Sequence, residues 1–258
     1  MAGRAVLVSG GAGGLGAAAA RALAARGCRV AVADRDLEGA EAVVLDCRRF
    51  SSASFAIGVD LATAEGPVRM VEEAAEGLGG LDALVHCAAI APVEPFLEPT
   101  AEAWEAALLV NVRACALADA AAGRIMKAQG RGGRIVHVTS AAARMALPDY
   151  AAYAATKAAV DSLTRSAAVA LAPFGIAVTS LSPGMMDTPL QLRTEEAFAR
   201  LAGRSDLDAF RAERTARIPL GRRTDPEEMA AMIVWLVLDA PAYMTAARLN
   251  VTGGLDKD

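Results

Sequence analysis

Short apolar runs alternate with longer amphipathic stretches along the whole chain. Residues 5–8, 29–33, 54–57, 83–86, 134–138, 176–181 and 248–251 are four to six residues long. Their apolar positions are mostly consecutive rather than alternating, as expected of strands buried on both faces of a parallel sheet. Between them, residues 15–26, 37–46, 64–78, 101–129, 150–171 and 226–238 read as helices. Seven strands alternating with helices predict an α/β fold: a Rossmann-type, doubly wound parallel seven-stranded sheet with helices on both faces. Only residues 188–220 break the rhythm, being long, charged and weakly periodic. They are expected to form a substrate-covering insertion over the carboxyl edge of the sheet. Residues 1–258 then make one domain, long enough to bury a full core.

The link from the first strand to the first helix is Ser9-Gly10-Gly11-Ala12-Gly13-Gly14-Leu15-Gly16. Glycines let a backbone turn tightly and approach a pyrophosphate, and the helix N-terminus behind them offers free N–H groups. Gly11, Gly13 and Gly16 fit G-x-G-x-x-G. Gly10, Gly14 and Gly16 fit T-G-x-x-x-G-x-G, with Ser9 in the threonine place. The strand–turn–helix context gives either match its meaning as a nucleotide site. Asp34 ends the second strand, 18 residues after Gly16. A carboxylate there can accept from ribose hydroxyls and repel a 2′-phosphate, which favours NAD over NADP; Arg35, next in sequence, pulls the other way. Asp60-Leu61 ends the third strand, within reach of an adenine edge.

Tyr153 and Lys157 stand four apart on a helix and so share a face. A tyrosine hydroxyl ordinarily titrates near pH ~10. An ammonium beside it favours the phenolate and suits it to proton exchange near neutral pH. Ser140 lies just past the fifth strand, at the edge where ligands bind.

Taken in order, Ser9 to Gly16, Asp60-Leu61, Val110-Asn111-Val112, Ser140, Tyr153-Ala154-Ala155-Thr156-Lys157, and Pro183-Gly184 followed by Thr188 resemble the single-domain short-chain dehydrogenase/reductase family from end to end. The resemblance implies hydride transfer between nicotinamide and a secondary alcohol or ketone. It makes Tyr153 the general acid/base, Ser140 the residue orienting the reacting oxygen, and Lys157 the ligand of the nicotinamide ribose. Asn111 would hold a water in the proton relay. Ser9, Gly10, Gly14, Leu15, Gly16, Asp34, Arg35, Asp60, Leu61, Cys87, Ala88 and Ala89 would hold the cofactor, with Pro183, Gly184, Met186 and Thr188 beside the nicotinamide. Ala142, Tyr150 and Met185 would line the substrate pocket. The family usually reads N-N-A-G after the fourth strand, where this chain has His86-Cys87-Ala88-Ala89. That puts the local geometry in question, since Cys87 cannot make asparagine's strand-tying bonds. It also leaves an alternative, a non-catalytic dinucleotide-binding sensor or assembly protein. Tyr150, seven before Lys157, matches the wider spacing of enoyl reductases; Ser140 thirteen before Tyr153 favours carbonyl chemistry.

Composition narrows the rest. Net charge is −4, against a nucleic-acid partner. Cys28, Cys47, Cys87 and Cys115 show no C-x-x-C spacing, and His86 and His137 complete no metal pattern in the sequence, so free thiols and no metal are expected. His86 reads as a hydrogen-bonded strand-end histidine rather than a proton carrier. The longest apolar run, residues 230–238, is short of a membrane span, and no signal-peptide pattern opens the chain, which points to the cytoplasm. Arg193, Arg200, Arg204, Arg211, Arg214 and Arg217 in the covering segment read as a solvated helix face, with a carboxylate or acyl-carrier phosphate as the alternative. The family resemblance implies a homotetramer or homodimer through the helices carrying Asn111 and Tyr153.

Overall fold

The computed structural model describes residues 3–256. Seven parallel strands, β1 (Ala5–Ser9), β2 (Arg29–Asp34), β3 (Phe55–Gly58), β4 (Ala83–His86), β5 (Gly133–Val138), β6 (Ile176–Pro183) and β7 (Arg248–Val251), make one sheet ordered β3-β2-β1-β4-β5-β6-β7. The order reverses between β1 and β4, and the carboxyl ends on either side of that point open the crevice where such sheets bind ligands.

Alternate strand residues feed two cores. Val6, Val8, Val30, Val32, Val85 and Val136 face α1 (Gly14–Ala25), α2 (Leu37–Arg48) and α9 (Pro226–Leu238). Leu7, Ala31, Leu84, Ile135 and Val178 face α3 (Gly66–Leu78), α5 (Ala114–Gln129) and α6 (Ala151–Leu171). Burial on both faces is why the strands read as unbroken apolar runs. The alanine-rich α1, with Ala17, Ala18, Ala19, Ala20 and Ala24 buried, lies close against α9.

Two departures from the sequence reading bear on the site. The helix expected over 101–129 is α4 (Ala101–Ala107) running through a π-helical turn (Leu108–Arg113) into α5. By length and composition Ala101–Gln129 is apolar enough to cross a membrane, longer than the run at 230–238, but half of it is buried within the fold. The covering segment holds two regular helices, α7 (Pro189–Leu201) and α8 (Leu207–Thr215). Each has a side-chain N-cap, Thr188 accepting from Gln191 N and Asp206 from Ala209 N. Their weak periodicity reflects how little of each helix is buried.

Candidate active site

The glycine loop and the β4 turn meet at the crevice. Gly10 has φ +68°, and a Cβ there would lie 2.5 Å from Ala88 N. Gly14 has φ +53°, whereas Gly13 is extended at φ −161° with open space around its Cβ position. A Cβ on Gly16 would run into the Gly10 carbonyl. Gly10 and Gly14 are required by their positive φ and Gly16 by close backbone approach, whereas Gly13 is required by neither, which favours the second reading of the loop. Helix α1 starts with no side-chain cap and no acidic residue in its first turn, so its first N–H groups are free for an anion. Such a cradle, closed to a Cβ at Gly10 and Gly16 and facing the free amides at the start of α1, suits a dinucleotide pyrophosphate. Leu15 is buried under it. Ser9 is fully buried, and its hydroxyl has no hydrogen-bond partner among the described residues.

Asp34 ends β2 beside the loop. Its Oδ2 accepts from Ala12 N (3.1 Å) and its Oδ1 from Asp36 N (3.1 Å). Arg35 is exposed. Asp60, also exposed, accepts from Ala62 N at 2.8 Å, and Leu61 is buried beneath it. Gly184 N donates to Val251 O (3.0 Å), which fixes the Pro183-Gly184 turn against β7. Met186 bridges Thr224, and Thr188 starts α7 directly over Gly14.

Asn111, Ser140, Tyr153 and Lys157 come from four places in the chain. Asn111 sits in the π-helical turn, a feature frequent at functional sites. Its Oδ1 accepts from Ile90 N (2.9 Å), and its Nδ2 donates to Ile90 O (2.8 Å) and Thr156 Oγ1 (3.0 Å). It thus pins the β4 loop to α6. Ser140 caps a short turn (Ala141–Arg144) that packs on α6, its Oγ accepting from Ala142 N at 3.1 Å. Tyr153 and Lys157 are buried on one face of α6. Lys157 Nζ donates to Val138 O (2.8 Å) and lies 5.6 Å from the Tyr153 ring centroid. Tyr150 precedes α6 and stacks on Tyr153 at 4.5 Å, with Ala142 in the same apolar cluster.

A family profile described as Enoyl-(Acyl carrier protein) reductase matches residues 10–256. L-rhamnose 1-dehydrogenase (NAD(P)(+)) of Azotobacter vinelandii is 35% identical over 97% of this chain and 95% of its own. Cis-4-hydroxycyclohexanecarboxylate dehydrogenase of Sinomonas cyclohexanicum is 38% identical over 97% and 96%. The crystal structure of levodione reductase superposes with a TM-score of 0.92 at 26% identity, covering 98% of both chains. The chain belongs to the short-chain dehydrogenase/reductase family. It is a nicotinamide-dependent alcohol dehydrogenase or carbonyl reductase acting on small CH–OH substrates.

Within this family member the unusual turn after β4 has a clear physical role. His86 and His137 are register partners on β4 and β5 and both reach Asp119 of α5. His86 Nε2 lies 3.2 Å and His137 Nε2 3.1 Å from Asp119 Oδ1. The strand tie that Cys87 cannot make is made one residue earlier, through a helix. Burial opposes charge on His86, but Cys115 and Asp119 outweigh it and raise its pKa to about 10. Burial likewise opposes ionised Asp119, yet His137 and His86 hold it below the ordinary carboxylate range. Cys87 packs on the apolar core, and burial pushes its thiol up to about 12 despite Lys157. Sequence reasoning missed Asp119 and Thr156, because nothing in their local pattern marks them.

The arginines divide. Arg193, Arg200, Arg204 and Arg217 are exposed, as expected of a solvated face. Arg211 and Arg214 do not fit that expectation. With Arg223 they converge on Glu195, whose side chain is 0% exposed, at 3.3, 3.2 and 2.7 Å. Asp187 pairs with Arg211 at 2.8 Å. This ionic knot ties α7, α8 and the chain before α9 into one cover. Arg214 also lies over Phe198 (4.9 Å), which meets Tyr150 edge-on (5.2 Å), and Tyr150 in turn stacks on Tyr153, so the knot connects to that pair of tyrosines.

Proposed function

We propose that this protein is an NAD(H)-dependent oxidoreductase that interconverts a secondary alcohol and its ketone through Asn111, Ser140, Tyr153 and Lys157. The observation that carries the reading is the buried Tyr153–Lys157 pair on one face of α6, with the Ser140 turn packed against that helix. When bound, the nicotinamide supplies the hydride acceptor or donor. Ser140 Oγ holds the substrate oxygen. Tyr153 Oη takes the alcohol proton in oxidation and returns it in reduction. The Lys157 ammonium, anchored by Val138 O, stabilises the phenolate. Asn111 keeps the Ile90 loop and α6 in register so that a relay to solvent can form.

Gly10, Gly14, Leu15, Gly16, Asp34, Asp60, Leu61, Cys87, Ala88, Ala89, Pro183, Gly184, Met186 and Thr188 would hold the dinucleotide, with Ser9 contributing from beneath. The Asp34 carboxylate favours NAD, while exposed Arg35 next to it would favour the 2′-phosphate of NADP. Ala142, Tyr150 and Met185 line the substrate side. Tyr150 serves there as a wall rather than as the acid of an enoyl reductase. Burial, with Tyr153 stacked beside it, raises its pKa well above the ordinary tyrosine value. The protein works as a homodimer or homotetramer in the cytoplasm, with exposed small residues such as Ala158 on α6 allowing close helix approach.

Steady-state assay and NADH titration of Tyr153→Phe test the reading. Turnover of a secondary-alcohol panel should vanish while NADH affinity stays within about twofold. Normal turnover in Tyr153→Phe would remove Tyr153 from its role. Cofactor binding without turnover in the wild type on any substrate would favour the sensor alternative.

A further inference from the structure

On the α5 side of the sheet, at the carboxyl end of β4 and next to the turn proposed to hold the cofactor, His86, Asp119 and His137 bring one ligand atom each to within 4.8 Å of one another. All three are buried. We propose that they form, with Cys115, a structural site for a divalent transition metal of the zinc class. The inference does not depend on the catalytic roles argued above.

Four observations carry it. First, the spacing fits. Nitrogen and oxygen ligands at ~2.0 Å from a tetrahedral metal stand about 3.3 Å apart. His86 Nε2 is 3.2 Å from Asp119 Oδ1, and His137 Nε2 is 3.1 Å from Oδ1 and 3.0 Å from Oδ2.

Second, hydrogen-bond accounting leaves a gap at the centre. The Thr164 hydroxyl donates its one proton to Val160 O (2.8 Å). It can therefore only accept from His137 Nδ1, 2.8 Å away. His137 faces the carboxylate through Nε2, 3.1 Å from Oδ1 and 3.0 Å from Oδ2. Asp119 Oδ2 is itself buried without a hydrogen-bond partner among the described residues. A metal cation between these atoms would give that oxygen a partner. Thr164 is then the outer partner that orients a metal-bound histidine.

Third, a fourth donor stands at hand. Cys115 precedes Asp119 by four residues on α5 and so shares its face. The thiol now donates to Asn111 O at 3.3 Å, so its side chain must rotate away from that bond to complete the ligand set.

Fourth, the charges balance. A thiolate and a carboxylate neutralise a divalent cation, so the buried site carries no net charge. Imidazole and thiolate donors select zinc-like metals over magnesium or calcium. The ligands come from β4, β5 and α5, which is why no spacing in the sequence displays them.

The test uses the whole protein, unfolded in denaturant with a chelator, refolded with Co2+ and freed of excess metal. One Co2+ per chain is expected, with visible d–d bands of tetrahedral coordination and a near-ultraviolet thiolate-to-cobalt band. Cys115→Ser should lose the charge-transfer band and keep the d–d bands. His137→Asn should lose both. Zn2+ should raise the Tm of the wild type and leave that of His137→Asn unmoved. Elemental analysis of protein purified from zinc-supplemented cells covers the case in which a variant fails to fold. Wild type that is folded and metal-free by both routes, with a Tm indifferent to Zn2+, would overturn the proposal and leave a buried imidazolium–carboxylate network.

Discussion

Thr188 closes over Gly14: a Cβ built on Gly14 would lie 3.3 Å from both Cβ and Cγ2 of Thr188. The root of the cover thus touches the loop that would cradle the pyrophosphate. Gly14 also has φ +53°, a conformation that costs an L-residue about 1–2 kcal/mol. Gly14→Ala should therefore weaken NADH binding by roughly tenfold, a factor of ten being about 1.4 kcal/mol. Nicotinamide fluorescence titration reads it. Adding Thr188→Ser should recover only part of the loss, because the backbone strain remains. Unchanged affinity in Gly14→Ala would show that the loop does not hold the cofactor.

Asp34 has two jobs that a single substitution separates. Its carboxylate supports the loop through Ala12 N, and it would face the adenosine ribose. Wild type should bind NADH at least about tenfold more tightly than NADPH. Asp34→Ala should lose that discrimination, while a thermal melt shows how much of the change is loss of loop support. Wild-type preference for NADPH would mean that Arg35 dominates.

The sheet and the shared helix face of Tyr153 and Lys157 were legible because each rests on local pattern. Buried strands read as apolar runs, and Tyr153 and Lys157 reveal their shared face by helical spacing alone. Strands β4 and β7 and helix α9 fall where the pattern placed them. The helices of the cover carried signals that weak periodicity hid, namely Thr188-Pro189 and Asp206 as starts. Other features left no local mark. The π-helical turn that aims Asn111 has no signature among ordinary helix formers. The partnership of His86, Asp119 and His137 exists only once a parallel pairing sets two strands side by side under α5. Glu195 looks like any helical glutamate until Arg223, 28 residues later, folds back onto it.

Arg248 braces Ser140 from behind. Its guanidinium donates to Ser140 O (3.2 Å) and Ser182 Oγ (2.9 Å), and pairs with Asp161 at 3.0 Å. Arg248→Met removes the brace without entering the substrate space. It should lower kcat by about tenfold while leaving NADH affinity intact, the pattern of a positioning residue. Arg248→Lys should restore part of kcat by keeping the charge beside Asp161. Equal kcat in wild type and Arg248→Met would show that the Ser140 turn holds its own geometry.

Glu195 sets an acid limit on the cover. Burial would raise its pKa, but the hydrogen bond and charge of Arg223, with help from Gln191 and Arg214, lower it below the ordinary glutamate value. A carboxylate whose folded pKa is depressed stabilises above its unfolded value, near ~4.3, and the contribution is lost as pH falls through the folded value. The cover should therefore stay clamped from neutral pH down to about 4 and loosen below it. Limited digestion with pepsin, which works in acid, should begin to cut around Phe198, Leu201 and Phe210 in that window. Glu195→Gln should open the same sites at every pH tested, since removing one side of a buried ionic group costs about 3 kcal/mol and leaves Arg211 and Arg223 with only Asp187 and Arg214 without a carboxylate partner. Its substrate KM should rise through the aromatic contact from Arg214 by way of Phe198 to Tyr150, while NADH affinity changes little. A cover that resists pepsin equally in wild type and Glu195→Gln as pH falls would show that apolar packing, not the ionic knot, holds it closed.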